Sequence, residues 1–84
     1  MGVYSVCFEE IPLGFTPVPT PDENNLVVES VEPESHADYQ GVLPGSIIVR
    51  MNDEDMENKG STYGTQVFVA SLCKMPLTIV FRPI

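Results

Sequence analysis

Positively charged side chains are scarce in this sequence. Only four of its 84 residues are Lys or Arg, against twelve Asp or Glu, and the formal net charge is −8. Nucleic-acid backbones and anionic lipid surfaces are bound by clustered basic side chains, so we expect neither a nucleic acid nor a membrane as the partner. An acidic surface steers basic or neutral partners towards a domain, and it also keeps a small domain in solution.

Cysteine and histidine are rarer still, with two cysteines and one histidine. Cys7 and Cys73 lie far apart in the chain, which predicts buried free thiols in a reducing compartment. His36 has no partners at the spacing of a catalytic relay and is predicted to be a surface helix residue. The alternating acids of segment 53–57 lack the glycine and the glutamate that complete a calcium loop. We therefore predict no catalytic residue, no metal and no cofactor.

Long apolar runs are also absent. No segment approaches the length that crosses a membrane, and no secretory leader pattern is found. The length predicts a single domain over residues 1–84, either a domain by itself or one excised from a longer chain. The free thiols and the lack of a leader pattern predict a cytoplasmic location.

The apolar pattern predicts a mostly β domain of the α+β class. Alternating or β-branched segments predict strands, at residues 3–8, 16–19, 26–31, 47–51 and 77–81. Pro17 and Pro19 place the second of these at a sheet edge, because proline has no N–H for a central ladder. We expect a partly open barrel or sandwich of five or six strands, capped by one short and one longer helix.

Both helices have recognisable ends. Ser35 caps the short helix, which ends before Gly41. The longer helix covers residues 62–72, with Ser61 or Thr62 as its cap. Its apolar residues fall on two faces, one with Val67 and Ala70 and the other with Phe68 and Leu72.

The segment Pro12-Leu13-Gly14-Phe15 predicts a tight turn before the edge strand. Glycine permits backbone conformations that a Cβ forbids, and it leaves the amides of residues 13–15 free to converge. Converging amides form an anion-binding nest, and an exposed edge strand can accept an extended peptide as an added strand. An ordinary turn is the alternative interpretation of the same four residues.

With this loop, the order of elements resembles a PDZ domain over nearly the whole chain. Leu13-Gly14-Phe15 is similar to the family's carboxylate-binding loop, and residues 26–37 are similar to its third strand and the lead-in to its first helix. Residues 41–52 resemble the stretch in which Gly-Asp opens a strand that ends in Val-Asn-Gly. Here Ser46 stands for the aspartate, Met51 for the valine and Asp53 for the glycine.

The resemblance implies a protein–protein interaction module. It would bind C-terminal or internal extended peptides by strand addition along the second strand, beside the second helix. The residues that it assigns to peptide binding are Leu13, Gly14, Phe15, Thr16, Pro17, Val18, Tyr63, Val67 and Ala70.

Within this set the resemblance implies separate roles. The amides of residues 13–15 would hold the terminal carboxylate. Tyr63 aligns without gaps with the residue that selects the antepenultimate side chain, and a one-residue shift would assign Thr62 or Gly64 instead. The pocket for the last side chain would consist of Leu13, Phe15, Pro17, Val67 and Ala70.

Three features depart from the family pattern. Pro17 lacks an N–H that would bond the peptide, at a cost of about 0.5–1.5 kcal/mol, which weakens a micromolar binder without abolishing binding. Glu9 and Glu10 stand where the family tends to have a basic residue. Tyr63 replaces the common histidine, so a preference for Ser or Thr in the partner does not follow.

Three functions are compatible with these residues, and none makes this chain an enzyme. It could bind a C-terminal peptide with a hydrophobic last residue and basic residues upstream. It could instead be a structural or assembly domain with a non-functional groove and some self-association. It could also be the recognition domain of a larger protease.

Overall fold

One six-stranded sheet forms the scaffold of the computed structural model, which describes residues 2–83. In chain order the elements are β1 (Tyr4–Phe8), β2 (Phe15–Pro19), β3 (Leu26–Val31), α1 (His36–Gln40), β4 (Ile47–Met51), β5 (Glu54–Asp55), α2 (Ser61–Ser71) and β6 (Leu77–Arg82). The sheet order is β1-β6-β4-β3-β2, with β5 paired to β4 beside this path, and every pairing is antiparallel. The predicted α+β, mostly β class with one short and one longer helix is confirmed.

The core lies on one face of β1 and β6. Leu77, Ile79 and Phe81 of β6 are fully buried, while the residues between them are half-buried. In β1, Val6 and Phe8 are buried and stand opposite Ile79 and Leu77. This alternation is the two-residue period that the sequence predicts for half-buried strands.

The four phenylalanines of the chain form a connected aromatic cluster. The ring centroid of Phe15, at the start of β2, lies 5.9 Å from that of Phe8, 5.7 Å from that of Phe81 and 5.9 Å from that of Phe68 in α2. Such pairs stabilise a fold by about 0.5–1.5 kcal/mol each beyond their burial. The cluster therefore fixes β2 and α2 on the core at the point where the loop ends.

The short helix α1 has the predicted ends. The hydroxyl oxygen of Ser35 accepts the N–H of Asp38 at 3.2 Å, and Gly41 ends the helix with a φ of 84°.

The longer helix α2 begins differently from the prediction. Its N-cap is Gly60, with no side-chain cap bond, so the assignment of Ser61 or Thr62 as the cap is wrong. The N–H groups of Gly60 and Ser61 donate instead to backbone carbonyls of the 23–24 turn, at 2.9 and 2.8 Å. Because this turn already satisfies amides at the start of the helix, a side-chain cap is not needed.

The structure also differs from the sequence-based prediction in the burial of three further residues. His36 is half-buried rather than at the surface, because the first turn of α1 packs its ring 5.2 Å from that of Phe8, between centroids. Cys7 and Cys73 are free thiols, but they are exposed rather than buried. Cys7 lies between two inward residues of β1 and so faces outward.

Residues 2–83 contain neither a membrane-spanning helix nor a group of side chains that could hold a metal ion. Neither helix within residues 2–83 is long and apolar enough to cross a membrane. Over the same range, no three His, Cys, Asp or Glu side chains are grouped so that they could hold a metal ion.

Replacing Phe81 with alanine should test the aromatic core. Phe81 is fully buried, stacks on Tyr4 at 5.2 Å between centroids and contacts Phe15. Phe81→Ala should lower the free energy of unfolding by about 3–5 kcal/mol in urea titrations followed by circular dichroism. Val69→Ala is the matched control, because Val69 is 56% exposed on α2, and it should change stability by less than about 0.5 kcal/mol. A loss at Phe81 no larger than the control's would contradict this core.

Candidate functional site

The loop before β2 is held in place through its carbonyl groups. The C=O of Leu13 accepts the N–H of Ala37 in α1 at 3.0 Å. The C=O of Gly14 accepts the N–H of Glu32 at 2.8 Å and the hydroxyl of Ser35 at 3.3 Å. The end of β3 and the start of α1 therefore fix the loop from one side.

Glycine is required at position 14 for two independent reasons. Its φ is 97°, in the region that side chains with a Cβ rarely adopt. A Cβ at this position would also overlap the Cβ and the hydroxyl oxygen of Ser35. The close approach of the loop to α1 thus depends on the missing side chain.

Two amides of this loop have no partner within the described part of the chain. Among residues 2–83, the N–H groups of Leu13 and Gly14 donate to no backbone or side-chain acceptor. Consecutive free amides around a left-handed residue form a nest for an anion. A carboxylate oxygen would receive charge-assisted hydrogen bonds there, which are stronger than bonds between neutral groups.

A cavity of about 420 Å³ opens beside these amides. It falls within the range of ligand sites, roughly 300–1,000 Å³. The apolar side chains of Leu13 and Phe15 line it from the loop, and Phe68 and Leu72 line it from α2. The remaining lining residues are Ile11, Pro12, Gly14, Thr16 and Glu32.

The only charge in this lining is negative. Glu32 lines the cavity, and its backbone N–H bonds the loop. The four cations of the chain, Arg50, Lys59, Lys74 and Arg82, all lie outside the lining. An anion held by the loop amides would therefore meet a like charge, screened over about 8 Å at physiological salt.

The strand that follows the loop has a free edge. β2 is the last strand in the sheet order and, over the described range, pairs with no strand other than β3. Thr16 is exposed on this strand, and Pro17 and Val18 are half-buried. An exposed edge of this kind can accept an extended segment as a further strand.

The structure divides the sequence-predicted site residues between two places. Residues 13–16 line the 420 Å³ cavity, and Pro17 and Val18 continue along β2. Val67 and Ala70 instead line a second cavity of about 330 Å³, formed with the 51–54 segment, Ser71 and Lys74. Phe68 and Leu72, rather than Val67 and Ala70, therefore line the cavity beside the loop, and the pocket predicted for the last side chain stays a prediction.

The orientation of α2 explains this difference. Gly64 is buried, and a Cβ added to it would lie 3.3 Å from the Cγ and Cδ1 atoms of Leu26. Phe68 and Leu72 follow Gly64 at intervals of four and so share its face, while Val67 is turned by about 100°. The spacing of Gly64, Phe68 and Leu72 is the sequence signal for the face of α2 that lines the loop cavity. Alignment with the family pattern without gaps instead assigns Val67 and Ala70 to this face.

Tyr63 also lies away from the loop cavity. Its hydroxyl donates to the carboxylate of Glu54 in β5. This hydrogen bond raises the pKa of Tyr63 above its ordinary value, with smaller effects from desolvation and from the negative charges of Glu54 and Asp55. The structure thus turns Tyr63 towards β5, and of the two shifted alternatives Thr62 is exposed whereas Gly64 is buried.

A free edge strand, an anion nest and an apolar cavity beside a helix together define a domain shaped to accept an extended chain. A model of the PDZ domain family matches residues 6–79, and the chain belongs to this family. PDZ domains are peptide-binding interaction modules and in general are not enzymes.

Solved PDZ domains share this fold. The Dlg1 PDZ2 domain of the choanoflagellate Monosiga brevicollis is 17% identical, with a TM-score of 0.78 over 96% of this chain and 92% of that one. A second crystal form of it is 18% identical, with a TM-score of 0.78 over 99% and 100%. The dmPar3 PDZ1 domain, solved in complex with the dmPar6 PBM, is 20% identical, with a TM-score of 0.79 over 99% and 94%. No curated protein sequence gives a significant match.

Alanine at position 14 should disrupt the loop more than alanine at another left-handed glycine. Gly41 has a similar φ, 84°, but nothing lies within 4 Å of a Cβ added to it. Gly41→Ala should therefore cost only the conformational strain, about 1–2 kcal/mol in urea unfolding. Gly14→Ala adds the overlap with Ser35 and should cost more than about 3 kcal/mol.

A second substitution should separate the two causes. Gly14→Ala combined with Ser35→Gly removes the overlap, and glycine caps a helix almost as well as serine. The pair should recover at least about 1 kcal/mol relative to the sum of the single changes. Additive single effects would show that Ser35 does not constrain residue 14.

Proposed function

We propose that this domain binds the free C-terminus of a partner protein as an added strand along β2. The terminal carboxylate lies on the amides of Leu13, Gly14 and Phe15, and the last side chain enters the cavity beside Phe68 and Leu72. The observation that carries the proposal is the pair of loop amides that have no acceptor among residues 2–83, beside an apolar cavity. The free edge of β2 gives the rest of the peptide a place to pair.

The cavity lining favours a large hydrophobic last residue. Six of its nine lining residues are apolar, namely Ile11, Pro12, Leu13, Phe15, Phe68 and Leu72. Burying an aliphatic or aromatic side chain contributes about 1.5–3 kcal/mol. An acidic last residue would lose hydration there and would meet the like charge of Glu32.

The charge of the domain favours a partner with basic residues near its end. The net charge is −8, and Glu32 lines the cavity itself. A Lys or Arg just upstream of the last residue would offset the repulsion between Glu32 and the bound carboxylate. Long-range attraction would also raise the association rate at low ionic strength.

We propose a cytoplasmic location for the domain. Cys7 and Cys73 are both exposed and both free, and exposed thiols persist in a reducing compartment. Labelling of both thiols in protein extracted under alkylating conditions would support this location, whereas recovery of a mixed disulfide would contradict it.

Paired peptides should test the role of the carboxylate. Hexapeptides ending in Val, Leu, Ile or Phe, each as the free acid and as the amide, can be titrated into labelled protein and followed by NMR. Hydrogen bonds to a charged group contribute about 1.5–3 kcal/mol, so amidation should weaken binding ten- to a hundredfold. Shifts should appear at residues 13–15 and at Phe68 and Leu72. Equal affinities of acid and amide would contradict a carboxylate-reading site.

Removing the negative charge from the cavity should strengthen binding of the same free-acid peptides. Glu32→Gln should tighten binding by about two- to fivefold at low salt, and the gain should disappear near 1 M salt, where screening acts within about 3 Å. Asp53→Asn is the matched control, since it changes the net charge equally but lines only the second cavity. An equal gain from both variants would assign the effect to overall charge rather than to Glu32.

A further inference from the structure

The backbone of β2 alternates between two directions. The C=O of Gly14, just before the strand, accepts the N–H of Glu32 at 2.8 Å, and the N–H of Thr20, just after it, donates to Asn25 at 2.9 Å. The backbone polar groups of Gly14 and Thr20 therefore point towards β3. Since the N–H and C=O of one strand residue share a direction and successive residues alternate, the residues with the opposite direction are Phe15, Pro17 and Pro19.

An independent observation on β3 gives the same assignment. Val28 stands opposite Pro17, but its N–H donates to Ser46 and its C=O accepts from Gly45, at 2.9 and 2.8 Å. Both polar groups of Val28 are therefore used on the β4 side. The register between β2 and β3 skips Glu29, so the extra residue lies on β3 and the alternation along β2 is uninterrupted.

The free edge of β2 consequently carries unequal numbers of donors and acceptors. Phe15, Pro17 and Pro19 each direct a C=O to the edge, but proline has no N–H. Only Phe15 therefore directs an N–H outward. An ordinary edge strand would offer donors and acceptors in equal number.

We infer that this edge accepts hydrogen bonds from a peptide but, beyond its terminal carboxylate, returns none. The inference rests on the proposed function, because the loop amides set the register of the peptide. With the carboxylate at Phe15, the N–H of the last residue faces the C=O of Phe15. The antepenultimate residue then faces Pro17, and the residue two further back faces Pro19.

This asymmetry defines the class of peptide that fits. A ligand needs an N–H at the antepenultimate residue and at the residue two positions before it, so proline, an N-methyl group or an ester at those positions removes a bond. The C=O groups of the same two residues have no donor opposite them, and weakening them costs nothing.

The same asymmetry argues against pairing between two copies of this edge. Antiparallel pairing of two β2 strands would bring three acceptors and one donor from each copy into one ladder. Most carbonyls would then lack a partner, a known way in which edge strands avoid self-association. The occupant with complementary groups is a peptide rather than a second copy of the domain.

Two ester-containing peptides and one protein variant test the inference. The parent is a free-acid hexapeptide ending in valine that binds the wild-type protein. In the donor ester, the N–H of the antepenultimate residue is replaced by oxygen. In the acceptor ester, the N–H of the penultimate residue is replaced, which weakens the antepenultimate C=O because an ester carbonyl accepts poorly. Pro17→Val restores an edge N–H, and Pro21→Val, at an exposed position of the 20–25 turn, is the matched control.

With wild-type protein, the donor ester should bind about two- to tenfold more weakly than the parent, and the acceptor ester should match it. With Pro17→Val, the parent should bind two- to tenfold more tightly and the acceptor ester should lose that gain, while Pro21→Val should behave as wild type. Equal losses from both esters on wild-type protein would overturn the inference, and so would unchanged parent affinity in a folded Pro17→Val.

The outcomes separate this inference from the proposed function. If no free-acid peptide binds either protein, the proposed function fails and the inference fails with it. If the parent binds but the ester pattern is absent, only the inference fails. Should Pro17→Val aggregate, the two esters on wild-type protein decide the question alone. Sedimentation at high concentration should show a monomer, and a dimer lost in Pro17→Glu would assign the edge to self-pairing.

Discussion

The contact between Gly14 and the start of α1 is the constraint on which the site depends. Ser35 caps α1 through Asp38 and also donates its hydroxyl to the carbonyl of Gly14. The N–H of Ala37 holds the carbonyl of Leu13. Because these bonds use the loop carbonyls, they fix the peptide planes while leaving two amides free. A larger residue at position 14 would move the loop away from α1 and turn those amides elsewhere.

The same segment joins the site to the core. Phe15 follows the loop directly, and its ring contacts three other phenylalanines, including Phe68 of α2. Phe15 and Phe68 are also walls of the 420 Å³ cavity. The cavity is therefore bounded by side chains that the core already holds in place, so an incoming side chain meets a preformed surface and little ordering entropy opposes its binding.

The sequence predicts the strands and the loop because their signals are local. A two-residue period marks β1 and β6, and a glycine between large apolar residues marks the turn at Gly14. The rotation of α2 is not local. Two apolar faces compete in the helix. The spacing of Gly64, Phe68 and Leu72 marks one of them, but the close approach of Gly64 to Leu26, 38 positions away in the sequence, selects it, and no local pattern shows that approach. The start of α2 is not predictable from the local sequence for the same reason, because the N–H groups of Gly60 and Ser61 donate to carbonyls of the distant 23–24 turn.

In the proposed binding mode, the prolines of β2 would weaken backbone pairing with the peptide, whereas the charge of Glu32 would repel its terminal carboxylate. A micromolar interaction corresponds to about 8 kcal/mol, and the edge supplies only part of the usual ladder. The carboxylate nest and the apolar cavity must then provide most of the affinity. Glu32 would in this mode oppose the carboxylate that the nest attracts, so the residues next to the partner's last position would decide the balance. A site that binds in the proposed mode would discriminate among C-termini through charge more than through backbone pairing, and its weak ladder would keep the exposed edge strand from joining other sheets.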